Sequence, residues 1–159
     1  MDQITVLTQA ALKSWQSQVE RCSKFINDAD DDLLMKEIAP GKNRGIYLVG
    51  HLAAVSDAMP EILGFGKKQY PELRAVFLEA PDKTTEKIPS VSELRKIWTS
   101  VHDRLKNEFE KMPAAAWLTR HESMTDADFE KDPTRNKFSV LLNRTNHFTY
   151  HLGQLILLK

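Results

Sequence analysis

Two histidines, His147 and His151, stand four residues apart in the segment NHFTYHLGQLILLK. On an α-helix that spacing puts both side chains on one face, about 6 Å apart along the axis. Imidazoles so placed can converge on one metal ion at about 2.0–2.1 Å each. A third, His51, lies in VGHLAAVSD on an otherwise apolar stretch, where Ala54 and Ala58 leave room around it. Three histidines on two inward-facing helix surfaces make a three-ligand donor set that keeps positions open for water or substrate. The other two histidines have no second ligand at a useful spacing. His121, in the polar loop TRHES, is expected in solvent. His102, one turn from Trp98 at the edge of an apolar arc, reads as a partly buried structural residue.

Several rival chemistries lack their residues. A di-iron carboxylate bundle needs Glu-x-x-His pairs, and the positions three before the histidines hold Leu48, Thr99, Leu118, Arg144 and Phe148. His121-Glu122 is followed by Ser-Met-Thr, so the HExxH metalloprotease motif is absent. Cys22 is the only cysteine, where a zinc deaminase needs two. Asp28, Asp30 and Asp32 have the spacing of a calcium loop, but Leu33 stands in the obligatory Gly place and Ala39 in the final Glu place.

The elements that position the histidines are helices. Ile4, Leu7, Ala11, Trp15, Val19, Cys22 and Ile26 follow amphipathic spacing over about residues 2–28, before the acidic run NDADDD, read as a solvated turn. After APGKNRG a second helix is expected from about Asn43. Tyr47, Leu48, His51, Val55, Ala58, Met59 and Ile62 share its apolar arc, and Pro60 should kink or restart it. PELRAVFLEA reads as a short helical piece between loops. The third helix enters at PSVSE, capped by Ser90 or Ser92 with Glu93 in its first turn, and buries Leu94, Trp98, Val101, Leu105, Phe109 and Met112 before Pro113. A long connection over about 113–136 precedes the last helix, from Lys137 to the end. Its apolar arc is Leu141, Leu142, Phe148, Leu152, Leu155 and Ile156, with both histidines just off that arc beside Asn143 and Gln154. No segment shows strand alternation. The expectation is all-α, a four-helix bundle in one domain over residues 1–159.

Composition agrees with an ordinary globular chain: 159 residues, 42% hydrophobic and 28% charged. Twenty-two basic and 22 acidic residues cancel, which removes the electrostatic footprint of a general nucleic-acid binder. No signal peptide and no bilayer-spanning apolar run is read, and Cys22 is expected in the core of the first helix. No nucleic acid, no membrane and a cytoplasmic location are the expectations.

A GHL on the second helix and HxxxHLGQL on the last resemble the DinB/YfiT-like family. The matching segments are VGHLAAVSD, NRTNHFTYHLGQL and PSVSELRKIWTSVHDRL, so the likeness covers nearly the whole chain. The resemblance implies an up-down-down-up bundle, often dimeric, with a divalent metal, commonly zinc or nickel, on three histidines. By position these are His51, His147 and His151. It also implies a metal-dependent S-transferase using a low-molecular-weight thiol such as bacillithiol or mycothiol, or a hydrolase, with a small-molecule electrophile. The alternative is a non-catalytic metal-binding or stress-associated protein. Each imidazole would need an acceptor on its second nitrogen; Asn143, Gln154 and Asp57 are the candidates. No dedicated general base stands out. The terminal LILLK, with Leu157 and Leu158 off the main apolar arc, is expected to meet a partner in a homodimer.

Overall fold

The computed structural model describes residues 2–85 and 87–159, and these form helices and loops. Seven α-helices follow in chain order: α1 Gln3–Asp28, α2 Asp31–Leu34, α3 Gly45–Asp57, α4 Met59–Leu63, α5 Val91–Lys111, α6 Asp126–Lys131 and α7 Lys137–Leu155. Among the described residues there is no strand, only the isolated bridges Glu37–Arg44 and Arg120–Asn136.

Side-chain caps fix where the long helices begin. Asp2 accepts from the Thr5 amide at 3.0 Å and starts α1, and Asn136 accepts from Ser139 at 2.9 Å and starts α7. At α5 the choice falls on Ser90: its hydroxyl takes the Glu93 amide while the Glu93 carboxylate takes the Ser90 amide, a complete capping box. Pro60 restarts the second helix, with α3 closing at Asp57 and α4 opening at Met59, so the proline occupies a first turn where its missing N–H costs nothing. Gly64, at φ 85°, ends α4 in the left-handed conformation.

The four long helices pack in a closed ring: α1 touches α7 and α5, and α3 touches α5 and α7. Their inward side chains form one cluster that includes Trp15, Cys22, Leu52, Leu105, Phe148 and Leu155. Cys22 is wholly buried, and burial pushes its thiol up to about 12, so it stays protonated. His102 is also fully in the core, its Nδ1 2.8 Å from the Trp98 carbonyl and its Nε2 3.2 Å from Ser56 Oγ.

Several expectations need correction. The acidic run is not merely a solvated turn: Asp30 caps the short helix α2, and Asp31 pairs with Arg95, which also binds the Ile26 and Ala29 carbonyls at the end of α1. The long connection after Pro113, whose structure the sequence left open, is partly helical. It holds a 3-10 turn over Ala114–Leu118 whose Trp117 is wholly buried, and then α6. Ile4, Leu7, Leu142 and Ile156 fit the apolar arcs in projection but are exposed. The chain leaves α-geometry after Leu155 and turns as a 3-10 helix over Ile156–Leu158. Leu158 thereby folds back against Gly45, while Leu157 stays exposed.

The correction at α3 bears most on function. Of its expected apolar arc, Leu48 and Met59 are wholly buried, but the other five members are only half-buried. Gly45, Ile46, Leu48, Val49, Gly50, Leu52, Ala53, Ala54, Ser56 and Asp57 are buried, so the helix is covered on most sides. Tyr47, His51, Val55, Ala58 and Ile62 form the one half-open stripe. Residues Gly45–Leu63 are in fact long and apolar enough to cross a membrane by length and composition, contrary to expectation. Two-thirds of that stretch is buried inside the protein, as expected of a central core helix.

Candidate metal centre

From the half-open stripe of α3, His51 meets His147 and His151 of α7. His147 Nε2 lies 3.2 Å from His51 Nε2 and 2.9 Å from His151 Nε2. The three donor atoms all lie within 4.8 Å of one another, each on a half-buried side chain. Two nitrogens each about 2.0–2.1 Å from one tetrahedral ion would stand about 3.3 Å apart. The observed spacing is close to that.

Two of the rings are oriented from behind. His51 Nδ1 donates to the Phe77 carbonyl at 2.9 Å, and His151 Nδ1 donates to Gln154 Oε1 at 2.6 Å. A proton fixed on Nδ1 leaves Nε2 of a neutral ring with a bare lone pair. Both lone pairs therefore point at His147 Nε2, which can carry one proton at most. Burial, reinforced by the neighbouring histidines and Arg144, brings His147 down to about 4. Burial also lowers His151, against the raising effect of Gln154. Extra protons are thus expensive in this cluster, and at least one nitrogen pair has no hydrogen to share. A cation accepting all three lone pairs removes that conflict. The donor set fits a divalent metal.

The carbonyl behind His51 is held by a lacing of the 75–82 segment onto α3. The Asp82 carboxylate accepts from the Arg44 amide at 2.7 Å and from its Nε and guanidinium at 3.1 and 2.7 Å. One turn on, Tyr47 Oη donates to the Ala80 carbonyl at 2.7 Å. Next comes Gly50, where a Cβ would sit 2.3 Å from the Phe77 ring. Only glycine lets that wholly buried ring lie on the helix backbone, and this close approach brings the Phe77 carbonyl to His51. The segment Ala75–Glu79 is a π-helical turn, a form frequent at functional sites.

Of the three acceptors expected from sequence, Gln154 serves His151. Asp57 does not face the imidazoles; its buried carboxylate accepts the Gln69 and Tyr70 amides at 2.9 and 2.7 Å and pins the loop after α4. Asn143 is exposed and lines a neighbouring cavity instead. His121 is half-buried rather than free in solvent, with Nδ1 accepting from the Ser123 amide, and it lines that same cavity away from the three-histidine cluster. The Phe77 carbonyl was illegible in sequence, because every residue carries one. Gly50, immediately before His51, was the one visible sign that another chain segment comes close.

No protein-family model and no curated protein matches this chain.

Proposed function

We propose that the chain is a DinB/YfiT-like helical bundle whose three-histidine centre holds zinc or nickel and acts as a metal-dependent thiol S-transferase or hydrolase. The single observation that carries this is the convergence of three Nε2 atoms with two of the Nδ1 protons fixed from behind. The closed ring of α1, α7, α3 and α5 supports the bundle, and the family likeness in VGHLAAVSD and NRTNHFTYHLGQL supports the ligand set. When bound, a divalent ion on three histidines keeps its full charge and acts as a Lewis acid that lowers the pKa of a thiol or water. The chain's own part is to present the lone pairs: the Phe77 carbonyl and Gln154 hold His51 and His151 in the required tautomer. The half-open stripe of α3 leaves the centre accessible from one side, and Arg144, one turn before His147, adds positive charge that favours an anionic nucleophile.

The test is turnover by zinc- or nickel-loaded protein with bacillithiol, mycothiol or cysteine as thiol and a chloroaromatic electrophile, beside ester and amide hydrolysis. The reading expects metal-dependent turnover that His147→Ala abolishes. One equivalent of metal without turnover in any pairing favours the non-catalytic alternative. We also propose a homodimer through the exposed Ile156 and Leu157 at the end of α7. Light scattering at micromolar concentration should give twice the 18.2 kDa chain mass, and a monomer mass contradicts it.

A further inference from the structure

Three buried polar atoms lack a hydrogen-bond partner among the described residues: the indole N–H groups of Trp15 and Trp117, and Nε of Arg144. The indoles belong to the apolar core. Arg144 differs because it carries a full charge, joins no ion pair among the described residues, and opens onto a cavity of about 160 Å³. Ile62, His121, Ser123, Val140 and Asn143 complete the lining. A buried Nε–H without an acceptor is costly unless something supplies one.

The cavity is walled by the same stretches of chain that carry the three histidines. Ile62 lies eleven residues beyond His51 on the α3–α4 side, and Val140 and Arg144 precede His147 on α7. Arg144 lines the cavity and stands one turn before His147 on α7. The charge surrounding the cavity is positive. His121 on its wall feels Arg120, Arg135 and Lys137 against the one carboxylate of Glu122. Arg120 is matched by Asp126 at 2.7 Å, and Glu122 is shared between Arg120 and Lys137 at 3.7 and 3.8 Å. Arg135 and Arg144 join no ion pair among the described residues, and of the two only Arg144 lines the cavity.

We propose that this cavity is the carboxylate subsite of the three-histidine centre, so that the small molecule the centre engages carries a carboxylate received by Arg144. A planar guanidinium pairs with a carboxylate through two parallel hydrogen bonds. Arg144 is the one arginine or lysine lining the cavity, and with apolar Ile62 and Val140 beside it the pocket suits a planar carboxylate better than a phosphate dianion. Ser123 and Asn143 add neutral donors at the rim. This inference rests on the metal-centre reading for the other end of the ligand, and its test keeps the two apart.

The experiment begins with the metal alone: cobalt(II) stoichiometry is measured on wild type and Arg144→Gln. Mercaptocarboxylates (3-mercaptopropionate and 6-mercaptohexanoate) are then titrated against the matching mercaptoalcohols on the cobalt-loaded protein, following the thiolate-to-cobalt absorption. Wild type should bind at least one of the two carboxylates about tenfold or more tightly than its alcohol. Arg144→Gln should keep its cobalt but lose that preference, with Arg144→Lys retaining part of it. Equal binding of acids and alcohols by wild type overturns the subsite while leaving the metal centre standing, and needs no variant to fold. Should wild type bind no cobalt, the centre's reading fails. The cavity is then tested in the same protein by propionate and by inorganic phosphate, observing the Arg144 Nε–H resonance. A saturable shift with propionate, stronger than with phosphate, supports the carboxylate pocket; no shift, or preference for phosphate, overturns it.

Discussion

Replacing Gly50 by alanine should damage the centre without touching a histidine. The added Cβ would lie 2.3 Å from Cε1 and Cζ of Phe77, where ordinary contact begins near 3.4 Å. The ring must therefore retreat by about 1 Å, and being wholly buried it has no free volume to rotate into. A retreat of that size carries the Phe77 carbonyl from 2.9 Å to beyond hydrogen-bonding range of His51 Nδ1. Overpacking of this kind costs about 1–3 kcal/mol of stability, and loss of a ligand's orienting partner weakens metal binding about 10–100-fold. Titration calorimetry with zinc measures the second effect and chemical denaturation the first. In metal-free protein, nitrogen-15 spectra of the His51 ring should show that Nδ1 is no longer the dominant protonated site. A variant that loses stability as expected, yet binds zinc like wild type with the His51 tautomer unchanged, would refute the claim that the Phe77 carbonyl orients this ligand.

Other perturbations have outcomes fixed by the same structure. His102 is buried neutral, its pKa lowered from 6.5 to about 4 by burial. The unfolded chain takes up its proton below about pH 6.5 while the folded chain does not. Stability is full above pH 6.5 and falls by about 1.4 kcal/mol per pH unit down to about pH 4, roughly 3 kcal/mol in all. Denaturation of metal-free protein across that range should show a slope flatter by that amount in His102→Gln, and an unchanged slope counts against a neutral buried ring. Asp82→Asn leaves Arg44 without its charge partner in a pair whose side chains are 19% and 3% exposed, so a loss of about 3–5 kcal/mol is expected in urea denaturation. Gly153, the glycine of HLGQ, has nothing within 4 Å of a built Cβ. Gly153→Ala should stabilise by about 0.5–1 kcal/mol with zinc affinity unchanged; weaker zinc binding would show that this glycine serves the site.

What could be read from the sequence was whatever depends on local periodicity and spacing. The His147–His151 stripe, the Ser90–Glu93 capping box and the starts of α5 and α7 are local, and they stand where spacing puts them. The all-helical class follows from the same periodicity. Other features depend on long-range contacts and left little trace. α3 is nearly surrounded, so its hydrophobic pattern could not show which side faces the cleft; the half-polar stripe through Tyr47 and His51 turned out to be the open one. The burial of Trp117 left no local trace because it depends on α1 and α7 closing around it. Asp57 resembled a partner for His51 by proximity in sequence, but α3 carries it to the loop at Gln69 and Tyr70. Arg144, three residues before His147, was visible only as a residue that breaks a Glu-x-x-His pattern. Its missing partner becomes apparent once the surrounding helices are in place.

The central claim is that His51, His147 and His151 share one divalent ion. Elemental analysis of untagged protein purified without chelator, beside His51→Ala, His147→Ala and His121→Ala, tests it most directly. The account predicts about one equivalent of zinc or nickel per chain in wild type and in His121→Ala, and none in the other two variants. Metal absent from wild type even after reconstitution, or lost as completely in His121→Ala as in His147→Ala, would contradict it.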